Sequence, residues 1–249
     1  MNFLKNTSTK IITFIFILIF GINNSVNAQL FTKKVKGNGE INTETRTVSD
    51  YKKIGINGNF EVKLLKDQLG KITIKADENL MEYIIIEVKN ENLNIKTKKG
   101  YVIKPSKKIE ITIPFEHLES LALAGSGTIF TTDLIKTKSI KLNIAGSGNM
   151  NLNISAKNTS SNIAGSGNLK IQGETNEFNC SIAGSGNLIG YNLKATMVNA
   201  KIAGSGNIKI NAQNEINAQI AGSGNVLYTG NPNKVKSKSV GSGSLKKKG

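Results

Sequence analysis

The chain has 249 residues, a formal charge of +16, no Trp, a single Cys and 25 Gly. One cysteine excludes an intrachain disulfide, and few aromatics with abundant Gly suit tight stacked turns better than a bulky globular core. The charge is uneven: residues 29–123 carry 17 basic and 13 acidic side chains, whereas residues 124–249 carry 14 and 4.

From the N-terminus, residues 1–28 read as a signal peptide. Lys5 and Lys10 precede a mostly apolar run from Ile11 to Ile22, and Val26-Asn27-Ala28 gives a small-x-small cleavage pattern before Gln29. The run is shorter than the roughly 20 residues of a spanning helix, so cleavage is expected over anchoring. No Cys stands at the cleavage position, which argues against a lipid anchor there. The expected location is the periplasm, outer-membrane surface or exterior of a Gram-negative bacterium, with no transmembrane segment after cleavage.

Residues 29–45 form an N-terminal extension, and residues 46–123 an irregular β-rich cap. In the cap, Ile72 and Ile74, then Ile84, Ile86 and Val88, then Leu93 and Ile95 alternate with polar residues, the pattern of half-buried strands. Asn90-Glu91-Asn92 predicts a turn between two of these strands. Asp77 to Glu82 suits a single helical turn with Asp77 as its cap. Ile109, Ile111 and Ile113 predict a further strand ended by Pro114.

Residues 124–245 are dominated by a repeat. Ala-Gly-Ser-Gly begins at Ala124, Ala145, Ala164, Ala183, Ala203 and Ala221, and Val240-Gly241-Ser242-Gly243 closes the series. The spacings of 21, 19, 19, 20, 18 and 19 residues are those of a stacked array. Ile140, Leu142 and Ile144 alternate with polar residues before one corner, and Met150, Leu152 and Ile154 after it. Each repeat therefore reads as strand, Gly-Ser-Gly corner, strand, polar corner. A flat antiparallel meander would leave its apolar face uncovered, so a parallel β-helix of about 19-residue coils is preferred. Its inward column would be Leu123, Ile144, Ile163, Ile182, Ile202 and Ile220, and Cys180 should point inward beside Phe178. The last repeat replaces the inward Ile with Ser239 and ends in a basic tail, residues 246–249, as an atypical terminal coil with a charged edge would.

Two columns at the corners are candidate binding residues: Ser147, Ser166, Ser185, Ser205 and Ser223, whose hydroxyls are expected to hydrogen-bond locally, and Asn149, Asn168, Asn187, Asn207 and Asn225, expected to form an amide ladder. Their first expected role is structural and their second is ligand contact.

Arg46-Thr47-Val48-Ser49-Asp50-Tyr51-Lys52-Lys53-Ile54 followed by Gly55-Ile56-Asn57-Gly58-Asn59-Phe60-Glu61-Val62 resembles the opening of the head GIN domain family, and the Ala-Gly-Ser-Gly-Asn copies resemble its later part. The resemblance covers residues 46–245. It implies a right-handed β-helix and an adhesin of the kind labelled auto-transporter, and it brings no catalytic residues to carry over. A translocating barrel would need many membrane strands of about 9–11 residues, for which the solenoid leaves no sequence.

No catalytic, metal or cofactor site is expected. Glycoside cleavage wants a positioned carboxylate pair, and the coil region offers only Asp133, Glu174, Glu177 and Glu215. His117 has no evident partner, and calcium-binding β-rolls need a recurring Asp where this repeat has Asn. The reading is a non-catalytic envelope or surface module that binds glycans. The alternatives are a structural scaffold or spacer with self-association through the solenoid ends and, behind that, a β-helix polysaccharide-degrading enzyme. Expected partners are surface glycans or anionic envelope polymers, not nucleic acid; the Lys excess also fits an AT-rich genome with no partner involved.

Overall fold

The computed structural model describes residues 32–248, so the signal peptide expected at 1–28 lies outside the described residues. The fold is an all-β solenoid of about seven turns with coils about 19 residues apart. Its strands in chain order are β1 (Lys33–Lys36), β2 (Ile41–Thr47), β3 (Lys53–Asn57), β4 (Phe60–Lys66), β5 (Lys71–Asp77), β6 (Ile84–Lys89), β7 (Asn92–Thr97), β8 (Tyr101–Lys104), β9 (Ile109–Phe115) and β10 (Ser120–Gly125). The coils follow as β11 (Thr128–Gly146), β12 (Asn149–Gly165), β13 (Asn168–Gly184), β14 (Asn187–Gly204) and β15 (Asn207–Gly222), and the chain ends in β16 (Asn225–Thr229), β17 (Lys234–Val240) and β18 (Ser244–Lys247). A 3-10 helix, Glu78–Tyr83, separates β5 from β6.

The alternating pattern fixes the register of the coils. A one-residue slip would turn every apolar side chain outward, so like must lie on like. Ile144 pairs with Ile163, Ile163 with Ile182, Ile182 with Ile202 and Ile202 with Ile220, all in parallel. These five and Leu123 are buried, as is Phe178. Parallel pairing between successive coils rules out the meander. The polar corner is not a break, however. Each of β11 to β15 is one strand of 16 to 19 residues that bends through that corner, with irregular register at Phe130/Leu134, Lys170/Gly173 and Gly190/Lys194. Successive strands are separated by only the Ser-Gly of each corner.

The two glycines of each corner serve different needs. Gly165 has φ +117°, outside the range that L side chains adopt readily. Gly167 is required by proximity: a Cβ there would lie 2.5 Å from Ile144 Cγ2 and 2.6 Å from the Gly148 carbonyl oxygen of the coil below. The backbone at the corner continues the ladder, with Ser166 N donating to Gly146 O at 2.9 Å and Asn168 N to Gly148 O at 3.0 Å.

The cap is built differently. β3 pairs with β10 and β7, while β4 pairs with β9 and β11, so the cap continues the solenoid sheets on both sides. It also contains antiparallel pairs, β2 with β5 and β6 with β7. The β6–β7 hairpin closes through Asn90 (φ 52°) and Glu91 (φ 57°), the left-handed pair of a tight hairpin turn, as expected from Asn90-Glu91-Asn92. β2, with Ile41 to Thr47, joins the N-terminal extension to the cap.

Two local expectations need correcting. Pro114 does not end its strand: β9 continues to Phe115, and Pro114 pairs with Leu65 of β4. The partner on the other side, β5, contacts β9 only from Glu110 to Thr112, so the missing N–H of Pro114 interrupts no bond there. Asp77 makes no side-chain cap to the short helix. Its carboxylate is fully buried and accepts from Gly39 N at 2.8 Å, Ser106 N at 2.9 Å and Ser106 Oγ at 2.6 Å. It therefore ties the loop after β1 to the loop before β9.

The far end is open. β17 pairs with β15 alone, and all seven of its residues are exposed, including Val240 at 78%. Lys234, Lys236 and Lys238 alternate along it, a charged edge that discourages pairing with another sheet.

Candidate functional site

The corner columns and a lateral groove are the two regular surfaces of the stack. At the corner, Ser147, Ser166, Ser185, Ser205 and Ser223 are all exposed. Their backbone N–H groups bond the coil below at 2.9 to 3.0 Å. Contrary to expectation, their hydroxyls make no hydrogen bond among the described residues, because each side chain points out of the corner into solvent. The Asn column does form the expected ladder. Asn168 Nδ2 donates to Asn149 Oδ1 at 2.9 Å, Asn187 to Asn168 at 3.0 Å and Asn207 to Asn187 at 3.2 Å. The ladder runs from Asn149 to Asn207; among the described residues no side-chain bond joins Asn207 to Asn225, which instead accepts from Ser244 Oγ at 2.9 Å. An amide engaged both above and below keeps one N–H and one oxygen lone pair for solvent or a ligand. Three further amide pairs join successive coils, Asn162 to Asn143 at 3.1 Å, Asn199 to Asn179 at 3.0 Å and Asn233 to Asn214 at 2.9 Å.

The groove lies at the polar corner. It encloses about 1260 Å³ and runs from the cap across the coils. Its floor is a column of small residues, Thr137, Ala156 and Thr175, paired in successive strands. Ala156 and Thr175 are buried. In a strand the residues on either side of an inward position point out, so the flanking positions form two walls. One wall carries Lys136, Ser155, Glu174 and Lys194, which are in register. The other carries Lys138, Lys157, Asn176, Thr196 and Gln213. Small inward residues bring the backbone close to the axis here, and long outward ones rise beside it.

Lys52, Lys66, Glu116, His117 and Glu119 close the cap end of the groove. His117, which has no evident partner in the sequence, thus joins the lining. In all, six lysines face three glutamates. Lys52 is engaged with Glu91 at 2.7 Å. Among the described residues no ion pair involves Lys66, Lys136, Lys138, Lys157 or Lys194. Glu174 accepts from Ser155 Oγ at 2.9 Å rather than from a lysine.

The other coil carboxylates are occupied individually. Asp133 accepts from Lys66 N at 2.8 Å, Glu177 from Asn179 Nδ2 at 2.8 Å, and Glu215 pairs with Lys234 at 3.2 Å. Glu177 and Glu215 share one column, separated by Met197. Cys180 is buried, and burial pushes its thiol up to about 12, so it remains protonated at neutral pH. Among the described residues no cluster of three or more His, Cys, Asp or Glu is suited to a metal, and no helix is long and apolar enough to cross a membrane.

Sequence order conceals the groove. Its lysines are scattered from Lys52 to Lys194 and come together only once the coils stack. The usable signal is positional: residues at the same offset before each Ala-Gly-Ser-Gly corner share a face, and Lys138 and Lys157 stand at one such offset, ahead of Ala145 and Ala164.

The family model described as "Putative auto-transporter adhesin, head GIN domain" matches residues 50–232. Among solved structures, a putative adhesin from Bacteroides fragilis is similar at 23% identity and a TM-score of 0.80, covering 86% of this chain and 100% of the other. A putative adhesin from Parabacteroides merdae is 24% identical with a TM-score of 0.66, covering 88% and 100%. A putative lipid binding protein from Parabacteroides distasonis is 29% identical with a TM-score of 0.71, covering 87% and 100%. No curated protein matches.

Proposed function

Because this chain belongs to the head GIN domain family of putative auto-transporter adhesins, we propose that it is an exported, non-catalytic binding module of the cell envelope or surface whose lateral groove holds an extended glycan. The observation that carries this reading is the groove itself: an open channel crossing successive coils, with exposed polar walls on a floor of small residues. Repeated equivalent contacts along such a channel add up weak interactions with a repeating ligand. The amide ladder supports the reading from the other side, because it stiffens the scaffold that presents the channel. The name of the Parabacteroides distasonis relative raises lipid as a ligand. Charged walls suit a hydrated polymer better than acyl chains.

The test is binding of Gln29–Gly249 to a panel of glycans and envelope polymers, at physiological and high salt. Saturable binding that Asn176→Trp weakens by obstructing the groove is the expected result. Absence of binding to every polymer, together with concentration-dependent assembly in sedimentation, would replace this reading with a structural scaffold.

A further inference from the structure

Resting on the proposed groove, we infer that its ligand is a linear anionic polysaccharide lying parallel to the solenoid axis, with its densest charge over Lys66, Lys136, Lys138 and Lys157. The direction follows from the topology. The lining draws on β4, β11, β12, β13, β14 and β15, which are hydrogen-bonded neighbours in that order. Five steps of about 4.8 Å make a channel of roughly 24 Å, long and narrow enough for a single extended chain.

The charge follows from the side chains. On successive strands the groove presents Lys66, then Lys136 with Lys138, then Lys157, then Glu174, then Lys194, then the neutral Gln213. Four of these cations are contiguous and lie in no ion pair among the described residues. A neutral polymer would leave them uncompensated; an anionic one neutralises them and releases counterions. The lining contains no Arg, Phe, Trp or Tyr. Recognition therefore lacks the flat guanidinium fork and the stacking platform that would impose a fixed pose, and rests on point charges and hydroxyl contacts. Such a site reads charge spacing more than the identity of the anionic group. Glu174 interrupts the cationic run and would oppose an anion on that strand.

The experiment compares polygalacturonate, dextran sulfate, neutral dextran and vesicles of phosphatidylglycerol with phosphatidylcholine, each titrated with Gln29–Gly249 across a salt series. Polygalacturonate or dextran sulfate should bind, more weakly as salt rises, and the tighter of the two identifies the preferred anionic group. The triple variant Lys136→Gln, Lys138→Gln, Lys157→Gln should weaken binding roughly tenfold at low salt and flatten its salt dependence. Neutralising Lys246, Lys247 and Lys248 to Gln should change it little. Glu174→Gln should tighten binding, a gain that a folding defect cannot imitate. Equal losses from the groove and tail variants would reduce the effect to overall charge and overturn the inference. Binding of neutral dextran that Asn176→Trp weakens and the lysine variants do not would overturn the inference and leave the glycan-binding reading standing. Binding only to vesicles, or to nothing, would remove both.

Discussion

The coil stack and the cap are two solutions to one problem, the burial of a sheet face. From β11 onward each coil covers the next with its own repeat, so every rung reuses the same contacts. Ile lies over Ile, Asn bonds Asn, and the corner glycines touch the glycines below. The cap cannot reuse anything, because it ends the array. It closes with antiparallel pairs and single-copy polar contacts. Buried Asp77 is held by Gly39 and Ser106, and Tyr51 OH donates to Pro114 O at 2.6 Å. Arg46 reaches the carbonyls of Met81 and Ile84. A repeat spreads its stability over many equivalent small contacts, whereas a cap concentrates it in a few irreplaceable ones.

The stack is most exposed at its corners. In Gly165→Ala the new Cβ would sit 2.6 Å from the Gly146 carbonyl oxygen, at a residue with φ +117°. Backbone strain and overpacking each cost about 1–3 kcal/mol, so a loss of about 2–5 kcal/mol is expected. The urea midpoint should fall accordingly. An unchanged midpoint would mean that the corner relaxes freely and that the glycine column is not what sets the coil geometry.

Asp77 tests the cap. Desolvation by burial pushes its carboxyl up, but the hydrogen bonds from Ser106 and Gly39 outweigh it and hold the group below the ordinary carboxylate range. A folded-state value below the unfolded one means stability that is present above the unfolded value, about 3.9, and is lost as pH falls through the folded one. Asp77→Ala removes three bonds to a buried charged acceptor and should cost about 2–4 kcal/mol at neutral pH. The gap between wild type and variant should narrow as pH falls below about 4. Thermal melts across pH 3 to 7 would show it, and a gap independent of pH would mean that Asp77 acts through packing alone.

The contrast also explains what the sequence made legible. The stack was readable because its period repeats: seven corners at near-constant spacing and strict alternation around them specify register and inward columns without further information. In the cap, alternation located strands such as β6 and β7 and their turn. It could not locate the partners of Asp77, because Gly39 and Ser106 are distant in sequence and belong to no pattern. Asp77 before a polar segment looks like a helix cap, and tertiary contacts claimed its carboxylate instead. The groove fell between these cases. Its lysines occupy regular offsets, but the concavity comes from small inward residues, Ala156 and Thr175, at a bend through which the strand runs unbroken. Alternation treats such a position as one more buried residue.

The smallest expected effect separates a repeated contact from a single one. Asn187 donates to Asn168 at 3.0 Å and accepts from Asn207 at 3.2 Å, in the middle of the corner ladder. Asn187→Ala removes both bonds, yet the neighbouring amides stand at a partly exposed corner where water can replace what is lost. A cost of about 1 kcal/mol is expected, well below that of Asp77→Ala although the number of bonds is similar. Substituting Asn168 and Asn187 together should then cost less than the two single losses combined, because they share one bond. A double-mutant cycle in urea measures this directly. Simple additivity would mean that the rungs act independently and that the ladder is a row of surface contacts. A coupling term would make it a connected element that stiffens the solenoid along its axis, the same axis along which the groove runs.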